Sequence, residues 1–94
     1  MLEFVWNGTK AAANARKHGV AFDEAATVFA DPLSMTIADR AHSIDESRLV
    51  TIGASSSGRM LVVVHVDLGD ELRIVSARKA TAREKRSYHG ESKK

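Results

Sequence analysis

The residue pattern predicts an α+β fold: two N-terminal helices, an antiparallel β-sheet meander and a C-terminal helix. Three observations carry this. Phe22, Ala25, Ala26 and Phe29 fall at i, i+3, i+4 and i+7, the spacing of one helical stripe. Extended runs at Arg48 to Ala54, Met60 to Val66 and Glu71 to Ala77 are separated only by Ser55-Ser56-Ser57-Gly58 and Leu68-Gly69-Asp70, and short loops join antiparallel neighbours. Thr81 and Glu84 stand three apart, the spacing of a capping box that opens a last helix.

In chain order, Leu2 to Val5 reads as an edge strand. Asn7 caps a helix over roughly residues 8–18, with Trp6 placed to staple back onto Ala11. Ala11, Ala12, Ala13 and Ala15 favour that helix, and Gly19 suits its C-terminal stop. A second helix is expected from Phe22 to Ala30. Ala21 holds its cap position without a capping side chain, and Asp31-Pro32 ends it. Leu33, Met35 and Ile37 alternate as a short strand, and residues 38–47 read as a polar loop. Met60 to Val66 is apolar on both faces, which marks the central strand. Along the last strand Leu72, Ile74 and Ser76 are expected on one side, with Arg73, Val75 and Ala77 on the other. The tail after Tyr88 is expected to fray.

A chain of 94 residues implies one domain, residues 1–94, with a modest core. With no cysteine, disulfides and thiolate metal sites are excluded, and the composition fits a cytoplasmic protein. His18, His42, His65 and His89 include no i+3 or i+4 pair, so no metal is expected. No Gly-rich nucleotide loop is present, and no cofactor is expected. No apolar run is long enough to span a membrane. The net charge of +2 hides an asymmetry. Residues 1–72 carry six Lys/Arg against ten Asp/Glu, whereas residues 73–94 carry eight against two. Such a basic end suits a polyanion or an acidic protein partner.

Placement sharpens that charge into candidate residues. Arg78 and Lys79 stand where a strand meets a helix start, whose free N–H groups and partial positive charge attract anions. Arg83 lies in the first turn, where a cation disfavours the helix unless an anion is bound. Arg59 opens the central strand, with Leu61, Val63 and His65 on its face by period two. Arg73 on the adjacent strand is expected to join it on a sheet face left open by the helices, a surface for single-stranded RNA. Arg59 and Arg73 also have a plain reading as surface cations paired with Asp67, Asp70 or Glu71, and Arg83 as a simple surface arginine. His65, in an apolar strand, reads as a core histidine before a catalyst, and Lys17-His18 as cations favoured at a helix C-terminus.

Several segments, in order, resemble the BrnT family, the toxin half of a bacterial type II toxin–antitoxin pair. They are Trp6-Asn7, Arg16-Lys17-His18-Gly19-Val20, Phe22-Asp23-Glu24-Ala25, Phe29-Ala30-Asp31-Pro32-Leu33, His42-Ser43 and Ile52-Gly53. The longest are Ser57 to Val64 and Arg73 to Thr81. Asn7, Ala21 and Ser47 depart from the residues common in the family, at two helix caps and a loop.

The resemblance implies a RelE-like fold and a metal-independent ribonuclease that blocks translation by cutting RNA. It also implies a ribbon-helix-helix antitoxin of the BrnA kind, bound as a hetero-oligomer, with DNA contacted only through that partner. Such cleavage uses the 2′-hydroxyl against the adjacent phosphate, and fixed cations stabilise the charge that builds there. By position that role falls to Arg59, Arg73, Arg78 and Lys79. His65, Lys17 and His18 are alternatives for the proton acceptor, and Lys17, His18, Ser76 and Arg83 for further RNA or phosphate contacts. A non-catalytic RNA-binding module and a module that only holds an acidic partner are the competing readings.

Overall fold

The computed structural model describes residues 2–39 and 47–90. It runs β1 (Glu3–Val5), α1 (Gly8–His18), α2 (Phe22–Ala26), a 3-10 turn (Thr27–Ala30), β2 (Met35–Ala38), β3 (Arg48–Ala54), β4 (Met60–Asp67), β5 (Glu71–Lys79) and α3 (Ala82–Gly90). Most of the expected 38–47 loop, the His42-Ser43 segment and the tail beyond Gly90 lie outside the described residues.

The strands form one sheet in the order β1-β5-β4-β3-β2. The meander from β2 to β5 is antiparallel, as expected, and β4 is central. The whole sheet, however, is mixed. The N-terminal strand β1 lies parallel to β5, with Phe4 opposite Leu72, a pairing that the long connection through α1, α2 and three strands allows. The single expected helix over 22–30 divides into α2 and a 3-10 turn. There the Thr27 hydroxyl donates to the Glu24 carbonyl at 2.6 Å, competing with the regular ladder. The last helix, α3, runs to Gly90.

A β-bulge decides which side chains share a face. Val64 opposes Ser76, but His65 opposes Ile74, so Val75 is the extra residue. The bulge reverses the alternation expected for β5. Leu72, Ile74 and Ala77 are all buried in the core, whereas Ser76 is not. It also carries Arg73 opposite Val66, onto the face reached by Val62 and Val64.

The core lies between the sheet and the α1/α2 layer. Val20, Phe22, Ala25 and Val28 pack on Leu61, Val63, Leu72, Ile74 and Ala77. Trp6 meets Phe22 edge-on at 6.0 Å between ring centroids. Asn14, buried in α1, acts as a polar pin. Its amide nitrogen donates to the carbonyls of Val20 (3.0 Å) and Ala77 (2.8 Å), and its oxygen accepts from the Ala77 N–H (3.1 Å). Gly53 is required by close approach, since a Cβ there would lie 2.9 Å from Ser34 Cβ and 3.0 Å from Val28 Cγ1.

The opposite face is covered only in part, by α3. Met35, Ile37, Val50, Ile52 and Val62 line a groove of about 270 Å³ beside Glu84 and Ser87.

Candidate active site

The β3–β4 turn sets the first cation. Gly58 takes φ +87°, and the Ser55 N–H donates to the Arg59 carbonyl at 2.8 Å, closing the turn. Arg59 then reaches back to α2. Its Nε donates to Glu24 Oε2 (3.0 Å), and its Nη2 to Glu24 Oε1 (2.5 Å) and to the Gly19 carbonyl (3.1 Å). The Ser55 and Ser57 hydroxyls donate to the same Oε2. These donors, Arg59 first and then the two serines, hold the Glu24 carboxyl down at about 2. The partner of Arg59 is therefore Glu24, not Asp67, Asp70 or Glu71.

Arg59 and Arg73 do not share an open face, contrary to expectation. The Leu61, Val63 and His65 face is the one that α1 and α2 cover, and the bulge has moved Arg73 to the other side. His65 is accordingly a core residue, 3 % exposed. Its Nε2 lies 2.8 Å from Thr51 Oγ1, which meets Thr36 Oγ1 at 2.6 Å, and its ring stands edge-on to Phe29 at 4.8 Å. Burial pushes its pKa down and keeps the ring away from any surface an RNA strand could reach.

The strand–helix junction is built as its residue types require, with one difference. The Glu84 N–H donates to Thr81 Oγ1 (3.1 Å), and the Thr81 N–H donates to Glu84 Oε1 (2.8 Å), the two halves of a capping box. Arg78 and Lys79 belong to β5 itself. Arg78 forks onto Glu84, Nη1 to Oε1 at 2.8 Å and Nη2 to Oε2 at 2.9 Å. Arg78, ahead of the Thr81 contacts, holds the Glu84 carboxyl at about 2. The helix entrance is thus already occupied by a carboxylate of its own chain, where an external anion was expected.

Lys79 is placed differently. It is exposed, has no ion pair among the described residues, and faces an open cleft. The cleft, about 350 Å³, is lined by Arg59, Lys79, Lys85 and His89 over Gly58 and Met60. Of the expected site residues the structure brings Arg59 and Lys79 together here. The α1 terminus carrying Lys17 (exposed) and His18 (half-buried) adjoins them through the Gly19 carbonyl. Arg78 stands behind on the Glu84 fork. Arg73 and Ser76, opposite Val66 and Val64, and Arg83 on α3 do not line the cleft. Lys85 and His89 were missed by sequence reasoning. Their i, i+4 spacing on a basic helix, which places both on one side, was the available signal.

A mixed sheet with two helices on one face, a third on the other and a basic cleft at one end is what the comparisons address. The family model described as "Ribonuclease toxin, BrnT, of type II toxin-antitoxin system" matches residues 6–84. The chain belongs to the BrnT family. It is thus a ribonuclease toxin of a type II toxin–antitoxin system, and membership implies an antitoxin partner. The chain is similar in fold to the crystal structure, at 1.1 Å resolution, of the Brucella abortus ribonuclease toxin BrnT. The TM-score is 0.66 at 20% identity, covering 86% of this chain and 99% of that one. No curated protein matches the chain. Among the described residues no helix is long and apolar enough to cross a membrane, and no cluster of His, Asp or Glu is arranged to hold a metal. The BrnT match ends at Glu84, so Lys85 and His89 lie beyond it.

Proposed function

We propose that the chain inhibits translation by metal-independent endonucleolytic cleavage of RNA at the Arg59–Lys79 cleft. The observation that carries this reading is the convergence of an arginine from the β3–β4 turn and a lysine from β5 on one open cavity. Phosphate charge grows as the 2′-oxygen attacks, and fixed cations stabilise it most where water is partly excluded. Lys79 supplies the point charge. Arg59 supplies a planar donor set already oriented by Glu24 and Gly19. Arg78, locked to Glu84, holds the strand–helix junction so that Lys79 projects into the cleft. Lys17 and His18 serve the flanking phosphates, with Arg73, Ser76 and Arg83 as outer contacts.

In this reading the antitoxin is a ribbon-helix-helix protein of the BrnA kind, the complex is a hetero-oligomer that meets DNA through that partner, and the toxin acts in the cytoplasm with a RelE-like fold. A second reading, RNA binding without cleavage, is favoured by one fact: both forked arginines already have carboxylate partners. Digestion of a defined RNA in EDTA separates the two. We expect cleavage by the wild type, and a loss of about 100-fold for Lys79→Ala. Retention of bound but intact RNA selects the second reading.

A further inference from the structure

We propose that α3 supplies the proton-transfer group of this site: His89 accepts the 2′-hydroxyl proton, and Lys85 holds the phosphate beside it. The inference rests on the cleft reading above and extends it to two residues outside the family match. The reaction needs a group that takes a proton near neutral pH, and imidazole is the side chain suited to that. His65, the histidine on the sheet, is enclosed in the core. His89 is exposed and lines the cleft with Lys79 and Arg59. Lys85 lies one helical turn before it and lines the same cavity.

Contacts at both ends of α3 fix this arrangement. The Thr81–Glu84 box and the Arg78 fork set the start of α3. At its far end the Tyr88 hydroxyl donates to Asp31, and the Tyr88 ring stands edge-on to His89 at 4.9 Å. The imidazole is therefore buttressed on one side and open to the cleft on the other. In the step, the 2′-oxygen forms a bond to phosphorus as His89 takes its proton. The bond from phosphorus to the 5′-oxygen breaks, and that oxygen leaves with the electron pair and takes a proton from water. The products are a 2′,3′-cyclic phosphate and a 5′-hydroxyl. Among the described residues, the charged groups that line the cleft with His89 are Lys79 from β5, Arg59 from the β3–β4 turn and Lys85 from its own helix.

The test measures single-turnover cleavage of RNA in EDTA, and separately the binding of an RNA carrying 2′-O-methyl groups. His89→Ala is expected to lower the cleavage rate about 100-fold or more, with binding within about twofold, and added imidazole to restore part of the rate. His89→Gln, which keeps size and helix, should fail like alanine but without rescue. Lys85→Ala should weaken binding of the methylated RNA. Full cleavage by both His89 variants alongside a defective Lys79→Ala overturns the assignment of His89 and leaves the cleft intact. Full cleavage by all three overturns the cleft as well, and a wild type that leaves RNA uncut overturns cleavage at the cleft together with the assignment of His89.

Discussion

The two faces of the sheet are held by different physics. On one, α1 and α2 dock through fully buried apolar side chains and one buried amide, Asn14. On the other, α3 docks through polar contacts at its two ends, the Arg78–Glu84 fork and the Tyr88–Asp31 hydrogen bond, beside a groove that stays open. Burial is cooperative and insensitive to pH, whereas end contacts break one at a time. Helix α3 therefore belongs to the low-stability end of the molecule, and it carries two of the four polar side chains that line the cleft. The firm face sets the sheet, and the looser face completes the site.

The largest expected effect breaks the firm face. Asn14→Ala would leave the Ala77 N–H and two carbonyls without their partner in a buried place, each a cost on the order of 1–3 kcal/mol. We expect a loss of about 3 kcal/mol in urea unfolding, with Tm lower by on the order of 15 °C. A change under about 1 kcal/mol would mean that apolar packing alone docks α1.

Asn14 also shows what sequence reasoning could reach. Its neighbours in the chain marked a helix, but its partner is 63 residues away. The Thr81–Glu84 box was legible because both members fall within one turn. The Arg59–Glu24 fork spans 35 residues and had no local sign. The bulge at Val75 was hidden for another reason. Val-Ser-Ala carries no polarity contrast strong enough to fix a face, so simple alternation placed Arg73 beside Arg59. That one inserted residue overturned the shared basic face, while Lys79, opposite Leu61 at the start of β4, meets Arg59 at the same end of the sheet.

Glu24→Gln probes the firm face at its rim and should be the next largest effect. The pair is partly open to solvent, so its loss is expected to cost only about 1 kcal/mol. Glu84→Gln on the looser face should cost about 0.5 kcal/mol, since glutamine can still serve the capping box. Both carboxyls sit at about 2 in the folded protein, below their ordinary value of 4.5. A depressed folded pKa contributes stability that is present above the unfolded pKa and lost as pH falls through the folded one. Each variant should therefore differ from wild type at pH 7 and converge with it between about pH 4.5 and 2. Urea titrations at a series of pH values measure this, and a gap that persists at pH 2 would assign the effect to packing.

Tyr88→Phe should have as small a global effect as Glu84→Gln, and it isolates the far end of α3. The hydroxyl is the one group removed, and its acceptor Asp31 keeps the N–H donors of Ala54 and Leu33. The global loss is expected to be about 0.5 kcal/mol, while amide exchange in the last turn of α3 should quicken severalfold. The carboxylate of Asp31 pushes the Tyr88 hydroxyl up to about 12, above its ordinary 10. A raised folded pKa means stability fully present below pH 10 and lost as pH rises through about 12. Wild-type α3 should therefore loosen in that alkaline window, measured by exchange or by the tyrosinate absorbance, and the phenylalanine variant should already be loose at pH 7 and show no further step. If the variant instead exchanged like wild type at neutral pH, the polar latch would be idle and the Arg78–Glu84 fork alone would dock α3.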